Sequence, residues 1–160
     1  MVQEINCDIF KAPIDILVQC LNCQVTQSSG IAKDIREKWS ELWEADLKTT
    51  KGDKKKLGTF CHARIKKPTC RIQYLVGIYG QYDFGGDGKR YGSYDAIVDG
   101  LSLLRDSLIT NEKEDLVLGL PYKFASDRAG CDWSIVDAII HSVFEESPIK
   151  VLICKKPELS

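Results

Sequence analysis

Apolar runs of strand length alternate with helical patterns along most of this 160-residue chain, and this alternation limits the possible folds more than any other feature. The strand-like runs occupy residues 2–6, 16–21, 57–65, 71–79, 116–120 and 149–154, and the helical patterns occupy residues 30–47, 93–108 and 133–145. The runs 57–65 and 71–79 follow each other across a breaker without a helix, so they are expected to pair. Over most of the chain the strands are separated by helices, which predicts an α/β protein with a largely parallel sheet that helices cover on both faces.

The most informative junction lies in residues 116–140, where an apolar strand runs into a loop of small and polar residues that opens directly onto a helix. Pro121 ends the strand, and Asp132 immediately precedes the helical pattern. The amino end of a helix at the carboxyl edge of a strand offers free N–H groups and a positive dipole end to an anion. The same pattern also fits an ordinary connection in which Asp132 only caps the helix, and the sequence leaves both interpretations open.

Two further loops, residues 22–30 and 81–92, follow predicted strands in the same way as residues 121–132. The carboxyl edge of an open α/β sheet is the usual ligand crevice, so the three loops are expected to meet there. Loop 22–30 leads into a helix near Ile31 and supplies a second helix amino end, which suits a diphosphate or a phosphorylated sugar. The sequence contains neither G-x-x-x-x-G-K-[ST] nor G-x-G-x-x-G, so P-loop hydrolysis and dinucleotide hydride transfer have no motif to support them.

The charge balance argues against a protein that mainly coats nucleic acid. Lys and Arg number 22 and Asp and Glu number 23, for a net charge of -1, so there is no global positive field. The basic segment 48–56 is most simply a solvated loop, and a nucleic-acid surface that combines residues 54–56 with Lys89 and Arg90 is the disfavoured alternative. No apolar run reaches the roughly 20 residues of a membrane helix, and the first residues lack a signal-peptide pattern, so we expect a cytoplasmic protein without a membrane partner.

Seven cysteines, an odd number in a chain large enough to fold without disulfides, are expected to be reduced thiols. Cys20 and Cys23 have the C-x-x-C spacing of redox and zinc sites, but no second pair follows and the pair lies in an apolar strand pattern, which favours buried thiols. His62 and His141 are far apart in the sequence and show no metal-ligand spacing. We therefore expect neither a metal nor a cofactor.

Four groups of motifs, taken in order, resemble those of macro domains. They are NCDIFKA at residues 6–12, NCQ at 22–24 leading to GIAK at 30–33, YGQ at 79–81 with GKRY at 88–91, and PY at 121–122 with AGCDW at 129–133. The chain is most similar to the ADP-ribose 1″-phosphate phosphatase group, in register from about residue 2 to residue 154. The resemblance implies one macro domain over residues 1–160, with a three-layer α/β/α fold and a mixed, largely parallel central sheet.

The resemblance also implies a ligand, ADP-ribose or ADP-ribose 1″-phosphate, and a set of residues that contact it. In macro domains the position of Asp8 contacts the adenine ring and the position of Asn22 contacts the distal ribose. Asp132 matches a position that family members with phosphatase activity use near the distal phosphate. The full set of ligand-binding residues that the resemblance implies is Asp8, Ile9, Asn22, Gln24, Ser29, Gly30, Ile31, Ala32, Tyr122, Phe124, Ala125, Ser126, Asp127, Arg128 and Ala129.

The implied reaction is hydrolysis of the terminal phosphate of ADP-ribose 1″-phosphate. Asn22 and the loop N–H groups would position the distal ribose and hold the developing charge, while Asp132 would orient or deprotonate a water. The alternatives are a non-catalytic ADP-ribose binder and a hydrolase that removes ADP-ribosyl groups from protein or nucleic acid. Relatives that use a lysine carry it soon after the central strand, where this chain continues to Gly80 and Gln81, so a lysine-dependent route is disfavoured.

The chain departs from the typical motifs at five positions in the two phosphate-facing loops. These are Val25, Ser28, Ala125, Asp127 and Cys131, which replace glycines of close relatives. Glycine permits a positive φ and close approach of the backbone to a phosphate, which Val25 is expected to restrict. Asp127 adds a negative charge near the expected phosphate oxygens, and the neighbouring Arg128 is able to offset it.

Overall fold

The structure, a computed structural model, describes residues 1–158. The strands of this part are β1 (Val2–Asn6), β2 (Ile16–Asn22), β3 (Phe60–Arg64), β4 (Tyr74–Gln81), β5 (Leu118–Pro121) and β6 (Val151–Lys155). Its α-helices are α1 (Gly30–Lys38), α2 (Glu41–Leu47), α3 (Tyr94–Thr110) and α4 (Trp133–Phe144). Two short 3₁₀ turns, Ile9–Lys11 and Lys54–Lys56, lie in the connections.

The strands form one mixed sheet in the order β1-β6-β5-β2-β4-β3. All neighbouring pairs are parallel except β3 and β4, which are antiparallel, so the prediction that these two runs pair with each other is confirmed. In the centre, β2 lies between β5 and β4. The chain order therefore reverses around β2, and the carboxyl ends of β2, β4 and β5 meet at one edge of the sheet, where ligands usually bind.

Helices cover both faces of the sheet. Consecutive residues of β2 point to opposite sides, so Leu17 packs in one core and Val18 in the other. The core beneath α3 and α4 includes Val76, Ile97, Leu101, Leu120, Val136, Ile140 and Ile153. The core beneath α1 and α2 includes Ile14, Ile35, Trp39, Leu42, Leu75 and Leu152. This arrangement confirms the three-layer α/β/α fold with a mixed, largely parallel central sheet.

Residues 30–47 are two helices, and the prediction of a single helix is wrong. Trp39, between α1 and α2, has an extended backbone (φ -142°, ψ 124°). Its side chain is buried and its ring lies 6.0 Å from the ring of Phe10. The helical spacing of Ile35, Trp39 and Leu42 continues across the break, because all three side chains reach the same core. Apolar periodicity alone therefore cannot locate this break.

The strand boundaries also differ from those that the sequence predicts. β3 begins at Phe60 because residues 54–56 form a 3₁₀ turn, and β4 begins at Tyr74 and extends to Gln81. Gln81 thus belongs to a strand and its side chain lies at the sheet edge where the cleft opens. Among residues 1–158, no helix is both long enough and apolar enough to cross a membrane.

Candidate functional site

A cleft of about 420 Å³ opens at the carboxyl edge of the sheet. The ends of β2, β4 and β5, the first residues of α1 and the loops that follow these strands form its walls. Of the residues expected to bind ligand, the cleft lining includes Asn22, Ser29, Gly30, Ile31, Ala32, Tyr122, Phe124, Ala125, Asp127, Arg128 and Ala129. The three loops that the sequence analysis singled out therefore do meet at one place.

The loop that follows β2 owes its shape to Asn22. The side-chain oxygen of Asn22 accepts a hydrogen bond from the backbone N–H of Gln24 (2.8 Å), and its amide nitrogen donates to the hydroxyl of Thr26 (2.8 Å). Arg36 of α1 also donates to the backbone oxygen of Thr26 (3.3 Å). Asn22 thus lines the cleft while both of its polar ends are engaged within the loop, so it organises the turn.

Two of the positions where glycine is replaced keep a glycine-like backbone. Val25 has a φ of 57° and Ala125 has a φ of 58°, both in the left-handed region. A side chain with a Cβ is uncommon there, and a β-branched one such as Val25 is strained. Val25 and Ala125 are therefore held in a backbone conformation that favours glycine, at a local energetic cost.

The amino end of α1 faces the cleft without a side-chain cap. Ser29 is the N-cap residue, but its hydroxyl makes no capping hydrogen bond. Gly30 has a φ of 58°, and an added Cβ there would meet nothing within 4 Å. The first N–H groups of a helix have no partner within the helix, so those of α1 are available to an anion in the cleft.

The opposite wall is the loop that follows β5. Phe124 is buried beneath it, and the backbone oxygen of Ala125 accepts a hydrogen bond from the N–H of Cys131 (3.1 Å), which closes the loop. Asp127 and Arg128 are exposed and line the cleft. The cleft therefore lies between a helix amino end and a loop that carries one positive and one negative side chain.

Aromatic side chains border the cleft on two sides. Tyr122 packs edge-on against Trp133, with 5.2 Å between the ring centroids, and the ammonium of Lys155 lies 4.7 Å from the Tyr122 ring. Phe84 lines the cleft from the glycine-rich loop and is 50% exposed. Phe84 was not among the predicted site residues, although an aromatic residue before two glycines in a loop at this edge was a usable signal.

Two buried polar residues of the cleft were also missed. Gln27 is 3% exposed and Asp46 of α2 is 1% exposed, and both line the cleft. The amide nitrogen of Gln27 donates to a carboxylate oxygen of Asp46 (3.0 Å). Asp46 lies within a predicted helix far from the motifs, so no sequence signal connects it to the cleft.

The other predicted site residues lie outside the cleft lining. They are Asp8, Ile9, Gln24, Ser126 and Asp132. Asp8 caps the 3₁₀ turn that follows β1 by accepting a hydrogen bond from Phe10 (3.1 Å), and Ile9 is buried in that turn. Gln24 points its amide at the backbone oxygen of Tyr82 (3.2 Å). None of these five residues is among those that form the cleft wall, and their predicted contacts with a ligand stay predictions.

Asp132 acts as the N-cap of α4. One carboxylate oxygen accepts hydrogen bonds from the hydroxyl (2.7 Å) and the backbone N–H (2.9 Å) of Ser134. These hydrogen bonds hold the pKa of Asp132 below its usual value. A carboxylate with a lowered pKa is a poor proton acceptor, so the geometry favours the capping interpretation over a general base.

The cysteines are free thiols, as the sequence analysis expected. Burial raises the pKa of Cys20, which lines the cleft, to about 12, and it also raises the pKa of Cys23. Neither thiol is an activated nucleophile at neutral pH. Within residues 1–158, no group of three His, Cys, Asp or Glu side chains is placed to hold a metal ion.

No protein-family model and no curated protein matches the sequence. Solved structures do resemble it. The macrodomain of Mycobacterium tuberculosis DarG has a TM-score of 0.77 and 16% identity, with 99% of each chain covered. The macrodomain of Thermus aquaticus DarG has a TM-score of 0.76 and 15% identity, covering 98% of this chain and 99% of that one. Thermosipho africanus DarTG in complex with ADP-ribose has a TM-score of 0.72 and 15% identity, covering 96% of this chain and 41% of that one.

Identities of this size establish a shared architecture and no shared activity. The sheet order, the three layers and the cleft at the strand ends are features of this chain itself. Together with the structural likeness over nearly the whole length, they show that the chain has the macrodomain fold.

Proposed function

We propose that this protein binds ADP-ribose in the cleft at the carboxyl edge of the sheet. The observation that carries the proposal is the uncapped amino end of α1, whose free N–H groups face the cleft beside Gly30. A diphosphate is the part of ADP-ribose that such an end binds best. The loop 122–129, with Arg128, closes the opposite side of the same space.

The structural likeness supports the same ligand. Thermosipho africanus DarTG, which shares the fold, was solved in complex with ADP-ribose. In this chain the distal ribose would lie near Asn22 and the start of α1, and the adenine would lie toward Asp8, which follows β1 at the same edge of the sheet. The exposed ring of Phe84 offers an additional surface for stacking.

The reaction that we propose is hydrolysis of ADP-ribose 1″-phosphate. Water adds to the phosphorus, the bond between phosphorus and the 1″ oxygen breaks, and ADP-ribose and inorganic phosphate leave. The α1 N–H groups and Arg128 would stabilise the negative charge, and Asn22 would hold the loop that positions the ribose. The proposed role of Asp132 is to orient the water, because its low pKa makes it a poor base.

A non-catalytic ADP-ribose binder is the second candidate. The observation that favours it is the position of Asp132, which caps α4 and lies outside the cleft lining. A hydrolase that removes ADP-ribosyl groups from protein or nucleic acid would use the same cleft and is tested with the same variants.

Calorimetric titration with ADP-ribose tests binding, and two glycines provide a matched pair of variants. Gly30→Glu places a carboxylate beside the proposed diphosphate, and we expect at least tenfold weaker binding because like charges repel. Gly88→Glu adds the same charge at another glycine with a positive φ (82°) and open space around the Cβ, but outside the cleft lining. Binding to the Gly88 variant should equal that of the parent. A parent protein that does not bind ADP-ribose contradicts the proposal.

Phosphate release from ADP-ribose 1″-phosphate then separates the two candidates. Asn22→Ala should lower turnover strongly, because the loop loses its two internal hydrogen bonds. Asp132→Asn removes the charge but retains a good N-cap residue, so a lower rate in this variant reports on catalysis and not on the stability of α4. A parent that binds ADP-ribose and releases no phosphate is a binder or a hydrolase of a different ADP-ribosyl compound.

A further inference from the structure

The floor of the cleft beneath loop 22–30 contains a buried hydrogen-bond acceptor without a partner. The side-chain oxygen of Gln27 makes no hydrogen bond with any described residue, although Gln27 is only 3% exposed. Gln27 also has a φ of 42°, in the left-handed region. Leaving a buried acceptor unpaired and holding a non-glycine residue at a positive φ both cost free energy. Non-glycine residues held at a positive φ cluster at active sites and ligand-binding sites.

The orientation of the Gln27 amide is fixed by its neighbour. A carboxylate only accepts hydrogen bonds, so the nitrogen of the amide must face Asp46, at 3.0 Å, and the oxygen must be the free end. Because Gln27 lines the cleft, a ligand in the cleft is the available source of a donor. A donor such as a sugar hydroxyl fits this acceptor, whereas a phosphate oxygen does not.

Asp46 is held in turn by residues of other elements. The hydroxyl of Tyr79 in β4 donates to Asp46 (2.6 Å), and the hydroxyl of Thr49 donates to its backbone oxygen (2.6 Å). Lys56, also buried, donates to the Thr49 hydroxyl (2.9 Å). Loop 22–30, α2, β4 and the turn at residues 54–56 are thus joined by one chain of hydrogen bonds that ends at the free oxygen of Gln27.

Asn22 does not offer an equivalent acceptor. Its side-chain oxygen is occupied by the N–H of Gln24, and its nitrogen is occupied by Thr26. The polar group at the base of this loop that remains free is therefore that of Gln27.

We infer that Gln27 is a specificity-determining residue of the cleft: its side-chain oxygen accepts a hydrogen bond from a hydroxyl of the terminal ribose, and Asp46 is the positioning residue that holds the Gln27 amide in that orientation. This inference rests on the proposed binding of ADP-ribose. It assigns to the site a preference for ligands whose terminal sugar has free hydroxyls, and it explains why a glutamine is buried beside a carboxylate at the base of the cleft.

Two ligands and two variants test the inference by calorimetry. ADP-ribose carries the terminal ribose and ADP does not. Gln27→Met retains the length of the side chain and removes the acceptor, so the affinity for ADP-ribose should fall by about tenfold or more while the affinity for ADP stays the same. Gln19→Met is the matched control, because Gln19 is also a fully buried glutamine without hydrogen-bond partners among the described residues, but it lies outside the cleft lining. It should change neither affinity.

A second test changes the ligand and uses only the parent protein, so its result does not depend on whether the variants fold. An ADP-ribose analogue whose terminal ribose lacks its 2″ and 3″ hydroxyls should bind the parent no better than ADP does. Asp46→Asn, whose amide can donate to Gln27 and so reverse its orientation, should reduce the preference for ADP-ribose over ADP.

The outcomes distinguish this inference from the proposed function. If the parent binds no ADP-ribose, both fail. If the parent binds ADP-ribose, but the deoxy analogue binds equally well or folded Gln27→Met keeps the parental preference for ADP-ribose over ADP, the assignment of Gln27 is wrong and the proposed function stands.

Discussion

Asp15, just before β2, links the chain segments that lead into β4 and β5 at the edge of the sheet opposite the cleft. One of its carboxylate oxygens accepts a hydrogen bond from the N–H of Val117 before β5 (2.8 Å), and the other accepts from Arg71 before β4 (3.1 Å). Its backbone oxygen accepts from the N–H groups of Gln73 and Tyr74. Burial alone would raise the pKa of Asp15, but the hydrogen bonds from Arg71 and Val117 lower it below its usual value.

Replacing Asp15 should destabilise the protein in a pH-dependent way. A carboxyl with a lowered pKa in the folded state stabilises the fold above its unfolded pKa, near 4, and this stabilisation is lost as the pH falls through the folded pKa. Asp15→Asn should therefore lower the free energy of unfolding by about 1–3 kcal/mol at pH 7, with a smaller difference from the parent below about pH 4.

Urea unfolding at a series of pH values measures this effect. Glu37→Gln is the control, because Glu37 is exposed and its 3.9 Å ion pair with Lys33 contributes little. A difference between Asp15→Asn and the parent that is as large at pH 3 as at pH 7 would show that the carboxylate charge is not responsible.

Single residues are also where sequence reasoning reached its limit. The motifs located Asn22 and Gly30 in the cleft, because glycines and turn residues near strand ends carry a local signal. They did not locate Asp46, since its distance from Gln27 is set by the packing of α2 against the sheet and not by any spacing in the sequence. They also could not show that Val25 adopts the left-handed backbone conformation that favours glycine.

The amino ends of the helices divide into capped and uncapped ones. Ser93 accepts a hydrogen bond from the N–H of Ala96 (3.2 Å) at the start of α3, and Asp132 does the same for Ser134 at the start of α4. Ser29, at the start of α1, makes no such hydrogen bond and lies in the cleft. Serine is the N-cap residue of α1, α2 and α3, but only Ser93 of α3 accepts a hydrogen bond from a backbone N–H of its helix.

Ser93 and Ser29 should differ in how much their side chains contribute to the free energy of unfolding. Ser93→Ala removes a cap and should lower the free energy of unfolding by about 1 kcal/mol. Ser29→Ala removes no capping hydrogen bond and should leave stability nearly unchanged in the absence of ligand. Urea unfolding of both variants measures this difference, and equal losses of stability would mean that Ser29 caps α1 in solution.

For helices and strands, the sequence predicted their presence better than the residues at which they begin and end. The alternation of strands and helices could be predicted from the sequence because the central strands are continuous apolar runs that are buried on both faces. The break between α1 and α2 could not be predicted from the sequence. Trp39 interrupts the helical backbone there, but its side chain keeps the apolar spacing of one continuous helix. The start of β4 was misplaced because Arg71, inside the apolar run, pairs with Asp15 before the strand begins.

Across the whole molecule, three of the seven cysteines lie in strands of the central sheet. Cys20 lies in β2, Cys61 in β3 and Cys154 in β6, whereas Cys70 is exposed in the connection between β3 and β4. Burial raises the pKa of Cys20 and Cys154 to about 12 and that of Cys61 to about 11. Cys20 and Cys154 therefore belong to interior strands of the sheet, β2 and β6, whereas Cys61 belongs to the edge strand β3.

Thiol alkylation consequently provides a test of the whole architecture. In the folded protein at pH 8, an alkylating reagent should modify exposed Cys70 first, because only the thiolate reacts and the raised pKa values of Cys20, Cys61 and Cys154 leave these three thiols almost fully protonated. In urea all of them should react at similar rates, since unfolding removes the burial that raises their pKa values.

Peptide mass spectrometry after short pulses of reagent gives the rate for each cysteine, and Cys70→Ser removes the fast site as a control. Rapid modification of Cys154 in the absence of urea would be incompatible with its buried position in an interior strand of the sheet. If ADP-ribose also slows the labelling of Cys154, which lies outside the cleft lining, the ligand stabilises the folded state against the opening that exposes this thiol.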